Sequence, residues 1–203
     1  MGQRSQIYIR IKDKNDNKTL IANYYQWNYG ERMISRARYG IEYIKRNIDF
    51  SFDRELIEKI SRNFDINYDM KDVQLSVNIL DELKEYYFYD KDDINRFIFL
   101  EQGNNDGKLF VDFDQKTNKI KYCFTDRELK PLSADEYMNW NIGMKWEEKE
   151  FSSDKDWDKI AKICKKNIKA INKDAELMSD IELNKFINDD YTKQIDIKQD
   201  VKI

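Results

Sequence analysis

Aromatic and arginine side chains are concentrated in one stretch near the start of the chain, YYQWNYGERMISRAR, and continue just beyond it. Aromatic rings stack on bases and arginine neutralises phosphate, so this combination can bind single-stranded nucleic acid. Tyr, Trp and Arg also dominate the energetics of protein interfaces. The candidate binding residues are Tyr25, Trp27, Tyr29, Arg32, Arg36, Arg38, Tyr39 and Tyr43.

Three interpretations of this stretch stay open at the level of sequence. In the first, Tyr25 and Trp27 cover the core of a sheet, and the arginines pair with acidic residues from the middle of the chain. In the second the stretch is a protein interface, and in the third it binds nucleic acid. The net charge of −3 disfavours the third interpretation.

Acidic side chains form a second candidate contact surface, at Asp90, Asp92 and Asp93, although the run DKDD is also typical of a solvated loop. Carboxylate clusters can hold catalytic metal ions. However, Asp112 and Asp114 alternate with apolar residues along a predicted strand, which predicts that they face solvent. We therefore predict no metal site.

Residue types that carry most enzyme chemistry are missing. The chain contains no histidine, and its two cysteines, Cys123 and Cys164, lie far apart and outside any C-x-x-C motif. The six glycines form neither a phosphate-binding loop nor a dinucleotide-binding fingerprint. We predict that the protein is not an enzyme and needs no cofactor.

Composition predicts a folded protein with uneven charge. The 203 residues include 28 aromatics, and 40% are hydrophobic. Residues 1–50 carry ten Lys/Arg and five Asp/Glu, whereas residues 51–110 carry eight and fourteen. This asymmetry fits either two partner surfaces or two faces of one molecule that pair with each other. With no long apolar run, no signal-peptide core and no disulfide framework, we expect a cytoplasmic protein without membrane contact.

Local patterns predict the elements of the first half. SQIYIRI and TLIANYYQW alternate as the strands of a β-hairpin. A helical period predicts helices from Glu31 to Arg46 and from Asp53 to about Phe64. Residues 72–89 are ambiguous, because their first part alternates and their second part favours a helix.

In the second half, NRFIFL, KLFVDFD and KIKYCFTD predict an antiparallel meander of three strands, separated by turn sequences. An amphipathic helix is predicted from Asp154 to Ile171, with a cap at Ser153, and two further helices begin at the capping boxes of Ser133 and Ser179. The tail QIDIKQDVKI alternates like a strand. It could extend the sheet of this chain or pair with a second copy in a homo-oligomer.

These elements predict an α+β fold: a mostly antiparallel sheet, made of the N-terminal hairpin and the three-strand meander, packed with amphipathic helices. We expect a single domain over residues 1–203, in which residues 174–203 could form a C-terminal appendage.

The N-terminus resembles a family of small uncharacterised proteins from bacteriophages, prophages and mobile elements. Those proteins open with M-G-x-R-[SA]-x-[IV], as residues 1–7 do here, and carry an aromatic-x-W-x-x-G segment that Tyr25, Trp27 and Gly30 match. Gln26 and Asn28 stand where many members have His and Asp. The resemblance covers about the first forty residues.

The resemblance implies a context in which small proteins bind and disable host defence machines, including CRISPR effectors. Our leading hypothesis is therefore a cytoplasmic, non-catalytic inhibitor that binds a host protein or nucleoprotein complex stoichiometrically. The alternative is a nucleic-acid-binding accessory protein that uses the Arg/Tyr face of the first helix. A third hypothesis, a carboxylate-dependent enzyme, would need a metal ion at Asp112 and Asp114.

Overall fold

The structure is a computed structural model that describes residues 3–88, 90–103, 106–143, 145–146 and 155–194. Its helices are α1 (Glu31–Arg46), α2 (Arg54–Phe64), α3 (Ile79–Glu82), α4 (Lys91–Arg96), α5 (Ala134–Ile142), α6 (Lys155–Asp174) and α7 (Asp180–Ile187). Its strands are β1 (Arg4–Lys12), β2 (Lys18–Gln26), β3 (Ile66–Asn67), β4 (Asp72–Val73), β5 (Val77–Asn78), β6 (Lys108–Asp114), β7 (Lys119–Thr125), β8 (Pro131–Leu132) and β9 (Glu176–Leu177).

The predicted N-terminal hairpin and the first two predicted helices are confirmed. β1 and β2 pair antiparallel, and the Asp13 carboxylate holds their turn by accepting from the Asn15 and Asn17 N–H groups at 2.7 and 2.8 Å. The Asp53 carboxylate caps α2. A Cβ at Gly40 would lie 2.1 Å from the Phe64 ring, so α2 can approach α1 this closely only because residue 40 has no side chain.

The predicted strand NRFIFL is wrong, because residues 95–100 are helical. α4 continues directly into a π-helical turn, Phe97–Glu101. The Asp90 carboxylate caps α4 by accepting from the Asp93 N–H at 3.0 Å, and Ile94 and Ile98, one helical turn apart, are both buried. A short apolar run fits a strand or a buried helix equally well, and here the cap and the buried face select the helix.

Residues 72–89, whose sequence is ambiguous, contain both extended and helical pieces. β4 and β5 form two short extended pieces, and α3 followed by a 3₁₀ turn, Leu83–Glu85, provides the helical part.

The main sheet is mixed, with the order β5-β2-β1-β6-β7-β8 and β9 paired to β7. β6 runs parallel to β1, and β9 runs parallel to β7. The predicted mostly antiparallel sheet with a three-strand meander is therefore wrong. Parallel neighbours need a long crossover connection, and the connection from β1 to β6 contains β2 and the helices α1 to α4. No local pattern encodes a pairing between residues about a hundred positions apart.

The predicted C-terminal helices are confirmed where the structure describes them. α5 and α7 begin at the capping boxes of Ser133 and Ser179, and α6 covers most of the predicted helix 154–171. The predicted cap at Ser153 and the tail from residue 195 onward lie outside the described residues.

Helices cover both faces of the sheet. α1, α2, α5 and α6 pack on the face that carries Ile7 and Ile9, and α3, α4 and α7 pack on the face that carries Tyr8 and Phe110. Within the predicted appendage, Phe186 is buried in this second core.

Candidate functional site

The aromatic and arginine candidates are distributed over the end of β2, the turn that follows it and α1. α1 begins at Gly30, whose φ of 50° favours glycine, and the chain reaches it through Trp27, which has a φ of 58°. The apolar stripe of α1, including Ile34 and Ile41, is buried against the sheet. Part of its polar face is covered by the hairpin of β3 and β4.

Two of the candidate residues, Tyr25 and Arg36, are fully buried. The Arg36 Nε donates to the Asn28 Oδ1 at 2.8 Å, its Nη1 donates to the Phe64 carbonyl at 2.7 Å, and its guanidinium lies 5.1 Å from the Tyr25 ring centroid. Burial lowers the pKa of Arg36 and raises that of Tyr25. In this structure the two residues support the surface from below and do not reach a partner.

The buried network continues from Tyr25 to Asp65. The Tyr25 hydroxyl donates to the Asp65 carboxylate at 2.9 Å, which also accepts from the Ser76 N–H at 3.3 Å. The Asp65 carbonyl accepts from the Gln74 N–H at 2.9 Å. These bonds fasten the extended segment 73–77 to the end of α2, with the N–H groups of residues 74 and 76 directed inward.

The alternate residues of this segment, Val73, Leu75 and Val77, are exposed, and so is Trp27 just beyond the end of β2. Val77 pairs with Tyr24 on β2, so the segment runs along the end of the strand that leads to Trp27. We define the apolar ridge as Trp27, Val73, Leu75 and Val77, with exposures of 51%, 63%, 80% and 50%. Large apolar side chains exposed side by side are typical of interaction sites. The alternation of VQLSV was visible in the sequence, but nothing local indicated which side would be solvent.

The turn below the ridge is held by Arg32. Its Nη1 donates to the Trp27 carbonyl at 3.2 Å and lies 3.7 Å from the Asp72 carboxylate, and its guanidinium lies 5.9 Å from the Tyr29 ring centroid. Trp27 thus keeps a left-handed backbone, which is uncommon outside glycine, while half of its side chain is exposed. Such a combination is frequent at binding sites.

A second surface feature lies at the other end of α1. A groove of about 340 Å³ brings together the remaining candidates with residues from α2 and the β3–β4 hairpin. We call it the arginine–tyrosine groove, lined by Arg38, Tyr39, Glu42, Tyr43, Arg46, Asn63 and Tyr68. The sequence missed Asn63 and Tyr68, which reach the groove only through the packing of α2 and the hairpin on α1.

The acidic candidates lie elsewhere. α4, which begins at Asp90, packs on the opposite face of the sheet from α1, and Asp93 pairs with Arg96 at 3.3 Å. The structure therefore separates Asp90, Asp92 and Asp93 from the Arg/Tyr residues, and their role as a second contact surface stays a prediction. Across the described ranges, no three His, Cys, Asp or Glu side chains come together as metal ligands would.

Asp112 and Asp114 do not simply face solvent as predicted. They line a groove of about 790 Å³ between the sheet and α7. Both oxygens of Asp112 accept from Arg10, at 2.9 and 2.6 Å, and Arg10 also pairs with Asp189 at 2.8 Å. The chain just after α7 supplies Asp189, so the charges in this groove largely neutralise each other.

No protein-family model, no curated protein and no solved structure is significantly similar to the chain. Of the helices that the structure describes, none combines the length and the apolar composition needed to cross a lipid bilayer. The apolar ridge and the arginine–tyrosine groove are therefore the basis for proposing a function.

Proposed function

We propose that this protein is a phage or mobile-element accessory protein that inhibits a cytoplasmic host defence machine by stoichiometric binding, without catalysis. The observation that carries the binding role is the apolar ridge, whose four large apolar side chains are each at least half exposed. The defence context rests on the resemblance of the first forty residues to proteins of mobile elements.

A protein partner fits the ridge better than other ligands do. Leu75 and Val77 would gain about 25 cal/mol for every Å² of apolar surface that a partner removes from water. Trp is enriched among the residues that dominate binding energy, and Trp27 is held by its backbone contacts before any partner arrives. Preorganisation of this kind reduces the entropy lost on binding.

The test compares a ridge variant with a matched control in a bacterial host that carries active defence systems. We expect tagged wild-type protein to retain a protein partner at high salt and after nuclease treatment. Leu75→Asp should lose that partner, because a charge would be buried in the interface. Ile181→Asp, which changes an exposed isoleucine on α7, should retain it.

The partner identified in this way is then purified and mixed with the protein. A complex of fixed stoichiometry and reduced defence activity would support inhibition. Equal recovery of the partner by wild type and Leu75→Asp, or a partner whose activity is unchanged in the complex, would refute the proposal.

A further inference from the structure

We propose that the arginine–tyrosine groove is a binding site for a nucleobase with its phosphate, presented either by single-stranded nucleic acid or by a free nucleotide. This site lies apart from the apolar ridge and goes beyond inhibition of a protein partner. Its ring surfaces, its charge and its size fit such a ligand.

The groove contains an exposed aromatic surface on which a base can stack. The Tyr39 and Tyr68 rings lie 4.7 Å apart at an interplanar angle of 43°, and the Arg38 guanidinium lies 4.0 Å from the Tyr39 ring centroid. Tyr68 keeps a large exposed fraction although it contacts Tyr39. An exposed aromatic ring supported by other planar groups is the platform on which bases stack.

The platform is held in place by polar contacts behind it. The Asn63 Nδ2 donates to the Tyr68 hydroxyl at 3.1 Å, and the Tyr39 hydroxyl donates to Asp69 at 3.2 Å. Asp69 also accepts from Asn167 on α6 at 2.6 Å. The hairpin that carries Tyr68 is thereby fixed to α1, α2 and α6, so binding would not have to order it.

The charge of the groove decides whether its aromatic residues suit a cation or an anion. Three tyrosines and one carboxylate could in principle form a cage for a quaternary ammonium group. Here, however, Glu42 pairs with both Arg38 and Arg46, so the residues that line the groove carry one net positive charge, and the Asp69 carboxylate lies behind them on the Tyr39 hydroxyl. An anionic ligand with an aromatic ring matches this lining, and a cation does not.

The size of the groove suits a single nucleotide. A groove of about 340 Å³ lies at the lower end of the range for small-molecule sites, which begins at about 300 Å³. It can accept one nucleotide and is too small for a duplex. Arg46, at the exposed end of α1, is placed to meet the phosphate of a bound nucleotide or of its neighbour in a strand.

The test measures binding of the purified full chain to labelled twelve-residue oligo(dT) and oligo(dA), and separately to dTMP and AMP. At low salt we expect saturable binding that Tyr68→Ala weakens at least about 5-fold, as expected for the loss of one stacked base. Tyr68→Phe keeps the ring and should bind like wild type. Arg46→Gln should make the dependence of log K on log salt shallower by about 0.7.

Two exposed residues outside the groove provide matched controls. Tyr87→Ala and Arg54→Gln remove the same groups and should leave binding unchanged. Tighter binding of oligonucleotides than of mononucleotides assigns the site to single strands, and equal affinity assigns it to free nucleotides.

Absence of saturable binding to every probe would overturn the proposal, as would binding that Tyr68→Ala and Arg46→Gln leave unchanged in folded protein. These outcomes are independent of the ridge, because Leu75→Asp changes no residue of the groove.

Discussion

Two buried cations, on opposite sides of the sheet, are accommodated in different ways. Arg36 on α1 has two hydrogen-bond acceptors and the face of Tyr25. Lys108 on β6 points to the same side as Phe110 and donates to one carbonyl, that of Phe99 in the π-helical turn. Both side chains are almost completely buried, so they differ in their partners and not in their exposure.

The difference shows what determines the cost of burying a charge. Burial lowers the pKa of Lys108 to about 8, because one carbonyl replaces little of the solvation that an ammonium group has in water. Burial also lowers the pKa of Arg36, but a guanidinium stays protonated in proteins and spreads its charge over several donors. Arg36 therefore ties the turn after β2 to the end of α2, whereas the charge of Lys108 lowers the stability of the fold.

The largest expected effect tests the support role of Arg36. Arg36→Met should destabilise the protein by about 2–6 kcal/mol, because it leaves two acceptors, the Asn28 side chain and the Phe64 carbonyl, buried without their donor at about 1–3 kcal/mol each. Urea denaturation measures the change. A loss below about 1 kcal/mol would mean that the network contributes little and that the two cations are alike.

The next effect is the pH dependence contributed by Lys108. Its folded-state pKa of about 8 lies below the ordinary 10.5, so between these values the unfolded chain binds more protons than the folded chain. Stability from this group therefore rises with pH from about 8 to 10.5, by about 3 kcal/mol in total. The stability of wild type relative to Lys108→Met, measured by urea denaturation from pH 7 to 10, isolates this contribution. A difference that is independent of pH would contradict the lowered pKa.

At neutral pH, Lys108→Met should itself stabilise the protein by about 1 kcal/mol. Removal of the buried ammonium outweighs the loss of one donor to the Phe99 carbonyl. Thermal and urea denaturation at pH 7 provide the measurement. Destabilisation by this variant would mean that Lys108, like Arg36, stabilises the fold.

The smallest effect is expected for a solvated cation. The Arg54 side chain is 93% exposed and pairs with Glu58 one helical turn away. Arg54→Met should change stability by less than about 0.5 kcal/mol, because a surface ion pair on a helix contributes little. A larger change in urea denaturation would show that the effects at residues 36 and 108 do not depend on burial.

The sequence predicted the local elements of this fold and much of the candidate surface. The helical period and the capping boxes at Ser133 and Ser179 involve residues within four positions of each other, and all of these features are present. The strand predicted for NRFIFL was wrong because a short apolar run carries no period of its own. Among the candidate binding residues, Trp27 and Tyr39 lie at the surface, whereas Tyr25 and Arg36 do not.

By itself, the sequence determined the α+β class, the N-terminal hairpin and the bounds of the longer helices, because period and capping depend on neighbours along the chain. Only the tertiary structure decided that β6 lies parallel to β1, that Arg36 is buried, and that Leu75 and Tyr68 are exposed. These features depend on contacts between residues that are tens of positions apart. Such contacts form only when burial on both faces of the sheet is satisfied together.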